Sequence, residues 1–300
     1  MPTLHAAITK PATRRVAGAL ALSMACAAMH VLPAQPTGSS RPNPAPPPKP
    51  PAPTLPAFTR VPTTFVGLFA EREARALDVL GYLRCLEGTV NALRAGALGG
   101  VERGWSLTCI EQGDEWRGIF GELTEAAPGM RVKIQYALRK PGPTAGTRSG
   151  MVVRDPVDTA LASGTARALL RGLAARAPGN GLGQVVPVTL AQQNFIEVWF
   201  VPSANSPSRA VVGGDSLIQM SRDGMRELGH ASSSPPMRVL SISPGAQTFT
   251  LDSREAMTPL LTELMLAHLA IDVLPEVRVR TTAYDAILTQ RTRQWTFVKR

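Results

Sequence analysis

Between residues 58 and 300 the hydrophobic pattern switches repeatedly between a two-residue and a helical period. That alternation predicts an α+β domain: a mixed, largely antiparallel sheet with packed helices. Three stretches carry the expectation. Val132, Ile134, Tyr136 and Leu138 alternate with Arg131, Lys133, Gln135 and Arg139, as in a strand with one buried and one wet, basic face. Residues 154–181, "RDPVDTALASGTARALLRGLAARAPGNG", put proline in the first turn of a helix and Pro178-Gly179 at its end. Residues 258–282 read as a helix followed by a strand, an αβ unit. A layered α/β sheet is the second class that the same mixture allows.

In order along the chain, "FVGLFAEREARALDVLGYLRCLEG" (65–88) spaces Phe69, Leu77, Leu80 and Leu83 for one helical face, with Gly88 as its stop. "WSLTCIEQ", "EWRGIFGEL" and "RVKIQYALRK" follow as strands. Residues 141–150, "PGPTAGTRSG", form a loop and a weak sub-boundary. In the next helix Asp155 is expected to cap, Asp158 to favour the positive dipole end, and Val157, Leu161, Ala168 and Leu173 to share the buried side. A β-rich section comes after it. In "NFIEVWFVP" Ile196, Val198 and Phe200 make one face and Phe195, Glu197 and Trp199 the other, both apolar enough for a central strand between two layers. "SRAVVGGDSLIQMSRDGMREL" reads as strand, Asp223-Gly224 turn, strand, and "MRVLSIS" as a further strand. Thr258 caps a last helix with Pro259 in its first turn, "EVRVRTT" is a strand, and "RQWTFVKR" closes the sheet.

The first 57 residues have a different character. Lys10, Arg14 and Arg15 precede an apolar run at 16–29, and small residues surround Ala34, which is the layout of a secretory signal peptide over residues 1–34. The run is shorter than the roughly 20 apolar residues of a membrane span, so no stable span is expected after cleavage. A lipoprotein form acylated at Cys26 and an uncleaved signal anchor are the alternatives. Residues 35–57 hold ten prolines and predict an extended tether without a core. Residues 58–300 are the globular domain.

The formal net charge is +10, part of which leaves with the leader; the remaining excess is scattered, which argues against a nucleic-acid groove. Cys85 and Cys109 are the cysteines left after the leader, and an exported chain with two cysteines predicts a disulfide. His230 and His268 are the remaining histidines. Without HExxH, HxH or paired CxxC, neither a zinc site of ordinary composition nor a cofactor is expected.

Gly214-Asp215-Ser216-Leu217 resembles the signature of the GDSL-type serine hydrolases over those four residues. The resemblance implies an Asn-containing block and a late Asp-x-x-His. No asparagine follows Asn205, and neither His230 nor His268 has aspartate three residues before it. A serine without a placed base is a weak nucleophile, so Ser216 is expected to begin a hairpin. His268 is expected beside the core with Asp272 or Glu263 as partner. Phe195, Glu197 and Trp199 suit a sugar-binding surface, because ring faces stack while carboxylates accept from hydroxyls; the plainer reading puts Glu197 at a sheet edge. Arg131, Lys133, Arg139, Arg278 and Arg280 could form a basic sheet face for an anionic polymer.

These readings converge on an exported, non-catalytic module, periplasmic or extracellular, binding an envelope polymer or protein partner. The alternative is an extracytoplasmic hydrolase using two of Glu197, Asp215, Glu263 and Asp272. Its sign would be two of those carboxylates converging in one pocket, within about 10 Å of each other.

Overall fold

A long helix is the spine on which the other elements are assembled. The computed structural model describes residues 62–99, 102, 104–124, 129–140, 150–175, 185–202, 209–232, 237–243, 245–253 and 258–300, all belonging to one compact unit. The expected signal peptide, tether, 141–149 loop and Pro178-Gly179 helix stop lie outside them.

Helix α1 (Thr63–Arg94) buries Phe65, Phe69, Val79, Leu80, Tyr82 and Cys85. It does not stop at Gly88 but runs on to Arg94, and Leu77 is exposed. Its environment explains why the expected stripe is incomplete: α1 is covered from several directions, with Phe65 and Phe69 against Tyr284, Trp295 and Phe297, Tyr82 against Trp116, and Cys85 bonded to Cys109. The first sheet is the antiparallel meander β1 (Ser106–Gln112), β2 (Glu115–Thr124), β3 (Gly129–Arg139) and β4 (Met151–Val153). A register shift at Phe120/Gly121 interrupts the β2–β3 ladder. Arg131 and Lys133 are exposed as expected, but Gln135 on the same face is buried. Its amide donates to the Asp155 carbonyl and its oxygen accepts from Arg117.

Helix α2 (Thr159–Ala175) starts later than the sequence suggests. Asp158 caps it, accepting the Leu161 N–H at 2.8 Å, whereas Asp155 is ion-paired to Arg117. The buried face consists of Ala162, Ser163, Gly164, Thr165, Ala166, Ala168 and Gly172. Leu173, expected inside, is exposed. Small residues win because the helix approaches its neighbours closely: a Cβ on Gly164 would lie 2.2 Å from the Arg222 carbonyl oxygen.

The second sheet has the order β5 (Val185–Ala191), β6 (Phe195–Pro202), β8 (Ser216–Ser221), β9 (Glu227–Ser232), all antiparallel. Strand β6 lies between two layers, as its two apolar faces predict. Ile196, Val198 and Phe200 pack with Ala168 of α2, while Trp199 packs with the core around α1. The expected continuous strand at 209–221 is broken. Gly213 and Gly214 take φ of +79° and +69°, a conformation that side-chain-bearing residues avoid. The chain therefore leaves the ribbon of β7 (Arg209–Val212) and β10 (Arg238–Ser241) and enters β8. The Asp223-Gly224 turn joins β8 to β9 as expected.

The last sheet, β11 (Thr248–Asp252), β12 (Glu276–Arg280), β13 (Tyr284–Thr289) and β14 (Trp295–Lys299), contains β13, which the sequence reading passed over. Helix α3 (Leu261–Ala270) connects β11 to β12, which pair in parallel. Leu260 rather than Thr258 is at its N-cap, and Glu263 accepts the Leu260 N–H at 2.9 Å. The mixed, mostly antiparallel α+β class is thus the observed one.

Candidate functional site

The disulfide joins Cys85 of α1 to Cys109 of β1, with Cα atoms 6.3 Å apart and both residues fully buried. It pins α1 to the first sheet beside Tyr82, which is 1% exposed. Burial pushes the Tyr82 phenol up.

Further towards the N-terminus of α1, a groove of about 530 Å³ opens between α1, the second sheet and the segment leading into α3. This volume is in the range of ligand pockets. Strand register builds one wall: Trp199 pairs with Leu217, Leu217 pairs with Ala231, and all three line the groove. Glu197 stands two residues before Trp199 and so points the same way. It is 4% exposed, in a strand paired on both sides rather than at a sheet edge. A buried carboxylate needs donors, and Oε2 has two: Trp199 Nε1 at 2.9 Å and Arg75 Nε at 3.2 Å. Glu71, Arg72 and Arg75 of α1 line the opposite wall, with Arg72 Nη1 donating to the Pro259 carbonyl at 3.0 Å. Asp215, Ser216 and Thr258 complete it.

Past Arg75 a second cavity, about 370 Å³, is lined by Asp78, Glu111, Trp116, Thr189, Gln192, Gln193 and Arg222 among others. Arg222 Nη1 donates to the carbonyls of Gln192 and Gln193 at 2.8 and 2.5 Å and so fixes the β5–β6 turn as a wall. Lys140 is paired with Glu111. Burial raises the Asp78 carboxyl above its ordinary value, and the Glu111 charge adds to this, against the pull of Arg75 and Lys140.

Of the sequence-derived candidates, the structure brings Glu197, Trp199, Asp215 and Ser216 to one groove. Phe195 is at the start of β6, opposite Ser221 and outside the groove lining. The basic candidates do not form one face. Arg131 and Lys133 belong to the first sheet, where Arg131 pairs with Glu122 and Lys133 lies over the Trp105 ring; Arg139 pairs with Asp114. Arg278 and Arg280 belong to the last sheet and pair with Glu276, Asp252 and, from β13, Asp285.

Ser216 begins β8 in register with Phe200 and Ser232. His230 is 80% exposed and beside Glu227. His268 bonds Glu73 of α1 at 3.0 Å, not Asp272 or Glu263; the same Glu73 oxygen accepts from Trp295 Nε1 at 2.6 Å. Asp272 instead pairs with Arg84 and Arg293, and Glu263 with Arg238 at 2.6 Å. Among the described residues neither histidine is hydrogen-bonded to Ser216.

The α1 residues of both cavities went unread in the sequence, although the spacing of Glu71, Arg72, Arg75 and Asp78 on one helical face was a usable signal. Comparison with protein families, with curated proteins and with solved structures finds no match for the chain.

Proposed function

We propose that this chain is an exported, tethered, non-catalytic module that binds an envelope polysaccharide in the groove between α1 and the second sheet. The observation that carries this reading is the Arg75–Glu197–Trp199 arrangement. A buried carboxylate, oriented by two donors beside an indole, is a pre-arranged acceptor next to an apolar ring, the pairing that saccharide hydroxyls and ring faces require. The leader-like N-terminus and the proline-rich stretch support export and tethering.

A second reading, a hydrolase using carboxylates, is favoured by one observation: Glu197 and Asp215 line the same groove. Co-sedimentation with purified, insoluble envelope glycan separates the two. Wild-type protein is expected in the pellet and the Trp199→Ala variant in the supernatant, with no soluble reducing ends formed. Protein that stays in solution contradicts the binding reading, and steady release of reducing ends that stops in Glu197→Gln establishes the hydrolase.

A further inference from the structure

The groove and the smaller cavity lie along the same helix. Leu68, Glu71, Arg72 and Arg75 line the first, and Asp78 lines the second. From Leu68 to Asp78 the helix rises about 15 Å, more than one pyranose ring spans. Arg75 lines the groove and reaches Asp78 of the cavity. Its Nε is 3.2 Å from Glu197 in the groove and its Nη1 is 3.9 Å from Asp78 in the cavity, and its side chain is 27% exposed. A partly exposed guanidinium thus contacts one carboxylate of each space.

Charge decides what kind of chain fits. In the groove Glu71, Glu197 and Asp215 face Arg72 and Arg75, and in the cavity Asp78 and Glu111 face Arg222, with Lys140 paired to Glu111. Neither space has a dominant sign. A polyanion or polycation would gain little there, whereas neutral hydroxyl and amide groups that donate and accept meet partners of both kinds. Gln192 and Gln193 extend the same chemistry into the cavity.

We propose that the groove and the cavity are successive subsites of one tract along α1 that takes a neutral oligosaccharide chain rather than a single sugar. This rests on the reading that the groove binds envelope glycan, and it adds that Arg75 bridges consecutive sugar units while Asp78, Gln193 and the Arg222 turn hold the units beyond. Burial also shifts the Asp78 carboxyl towards its neutral, donating form.

Calorimetric titration of the full chain with envelope-glycan fragments, from the disaccharide to the hexasaccharide, tests the tract. Affinity is expected to climb about tenfold, equal to about 1.4 kcal/mol, between the disaccharide and the longer fragments and then to level off. Gln192→Ala and Gln193→Ala should each erase that gain while leaving disaccharide affinity within about twofold of wild type. Affinity independent of length, or variants that weaken every fragment equally, would overturn the tract while leaving the groove as a binding site. A protein that binds no fragment of any length overturns both.

Discussion

Replacing a helical glycine by alanine ordinarily stabilises, and at Gly164 the structure reverses the sign. Alanine gains about 1 kcal/mol in helix propensity over glycine in a helix interior. At Gly164 the added methyl would sit 2.2 Å from the Arg222 carbonyl oxygen and 3.2 Å from Ile196 Cδ1. Carbon and oxygen approach no nearer than about 3.3 Å without repulsion, so the turn must retreat by about 1 Å. That turn is poorly able to do so: a Cβ on Gly224 would itself be 2.2 Å from the Gly164 carbonyl oxygen, which shows backbone meeting backbone. Overpacking of this kind costs about 1–3 kcal/mol, which leaves Gly164→Ala destabilised by about 1 kcal/mol and lowers Tm by about 2–4 °C. Gly67 of α1 is the control, with nothing within 4 Å of its added methyl; Gly67→Ala should gain up to about 1 kcal/mol. Urea denaturation of the two variants beside wild type reads both signs at once. Equal stabilisation by the two substitutions would refute the close approach of α2 to the 222–224 turn, and with it the rigid setting of Arg222.

Cys85 and Cys109 should resist thiol titration in denatured, unreduced protein, and the double alanine variant should lose about 3 kcal/mol by loop closure over a sequence separation of 24. Two reactive thiols would contradict the bond. Asp78 is a carboxyl raised in the fold, so its contribution to stability is present in full below the ordinary value of 3.8 and is lost as pH rises through the raised folded value. Asp78→Asn should therefore raise Tm near neutrality and lose that advantage below pH 3.8, and a pH-independent difference would contradict the shift. Glu263 is fully buried, bonded to Arg238 and to the Leu260 N–H; Glu263→Ala should cost about 3 kcal/mol by chemical denaturation, and a neutral change would mean that the pair does not form. Ser216→Ala should change stability by at most about 1 kcal/mol, and a serine-directed phosphonate should leave wild-type Ser216 unlabelled; stoichiometric labelling would restore the hydrolase reading.

The parts of the fold that could be read directly are those in which side-chain volume follows hydrophobicity. The two faces of β6 were legible because Ile196, Val198 and Phe200 alternate with Phe195, Glu197 and Trp199, and neither face is exposed, as in a strand between two layers. The disulfide was legible from cysteine number alone. The orientation of α2 was not, because its closest contacts select alanine and glycine, and a pattern scored by apolar size turns Leu173 inwards instead. Arg278 and Arg280 looked like a free basic face because the acid that neutralises them, Asp285, is on a strand that went unrecognised. Half of the candidate site had the same difficulty. Glu197 and Trp199 stood out, but the arginines that complete the groove come from α1, more than a hundred residues earlier in the chain, and local pattern carries no record of that pairing.

Saturation-transfer NMR of the full chain with a soluble envelope oligosaccharide addresses the central claim, that the groove binds a glycan and leaves it whole. The wild type should transfer saturation to the sugar ring protons, Trp199→Ala should lose the transfer while keeping the wild-type fold, and the anomeric signals should remain unchanged through prolonged incubation. Absence of transfer from folded wild-type protein, or the growth of new reducing-end anomeric signals, would contradict it.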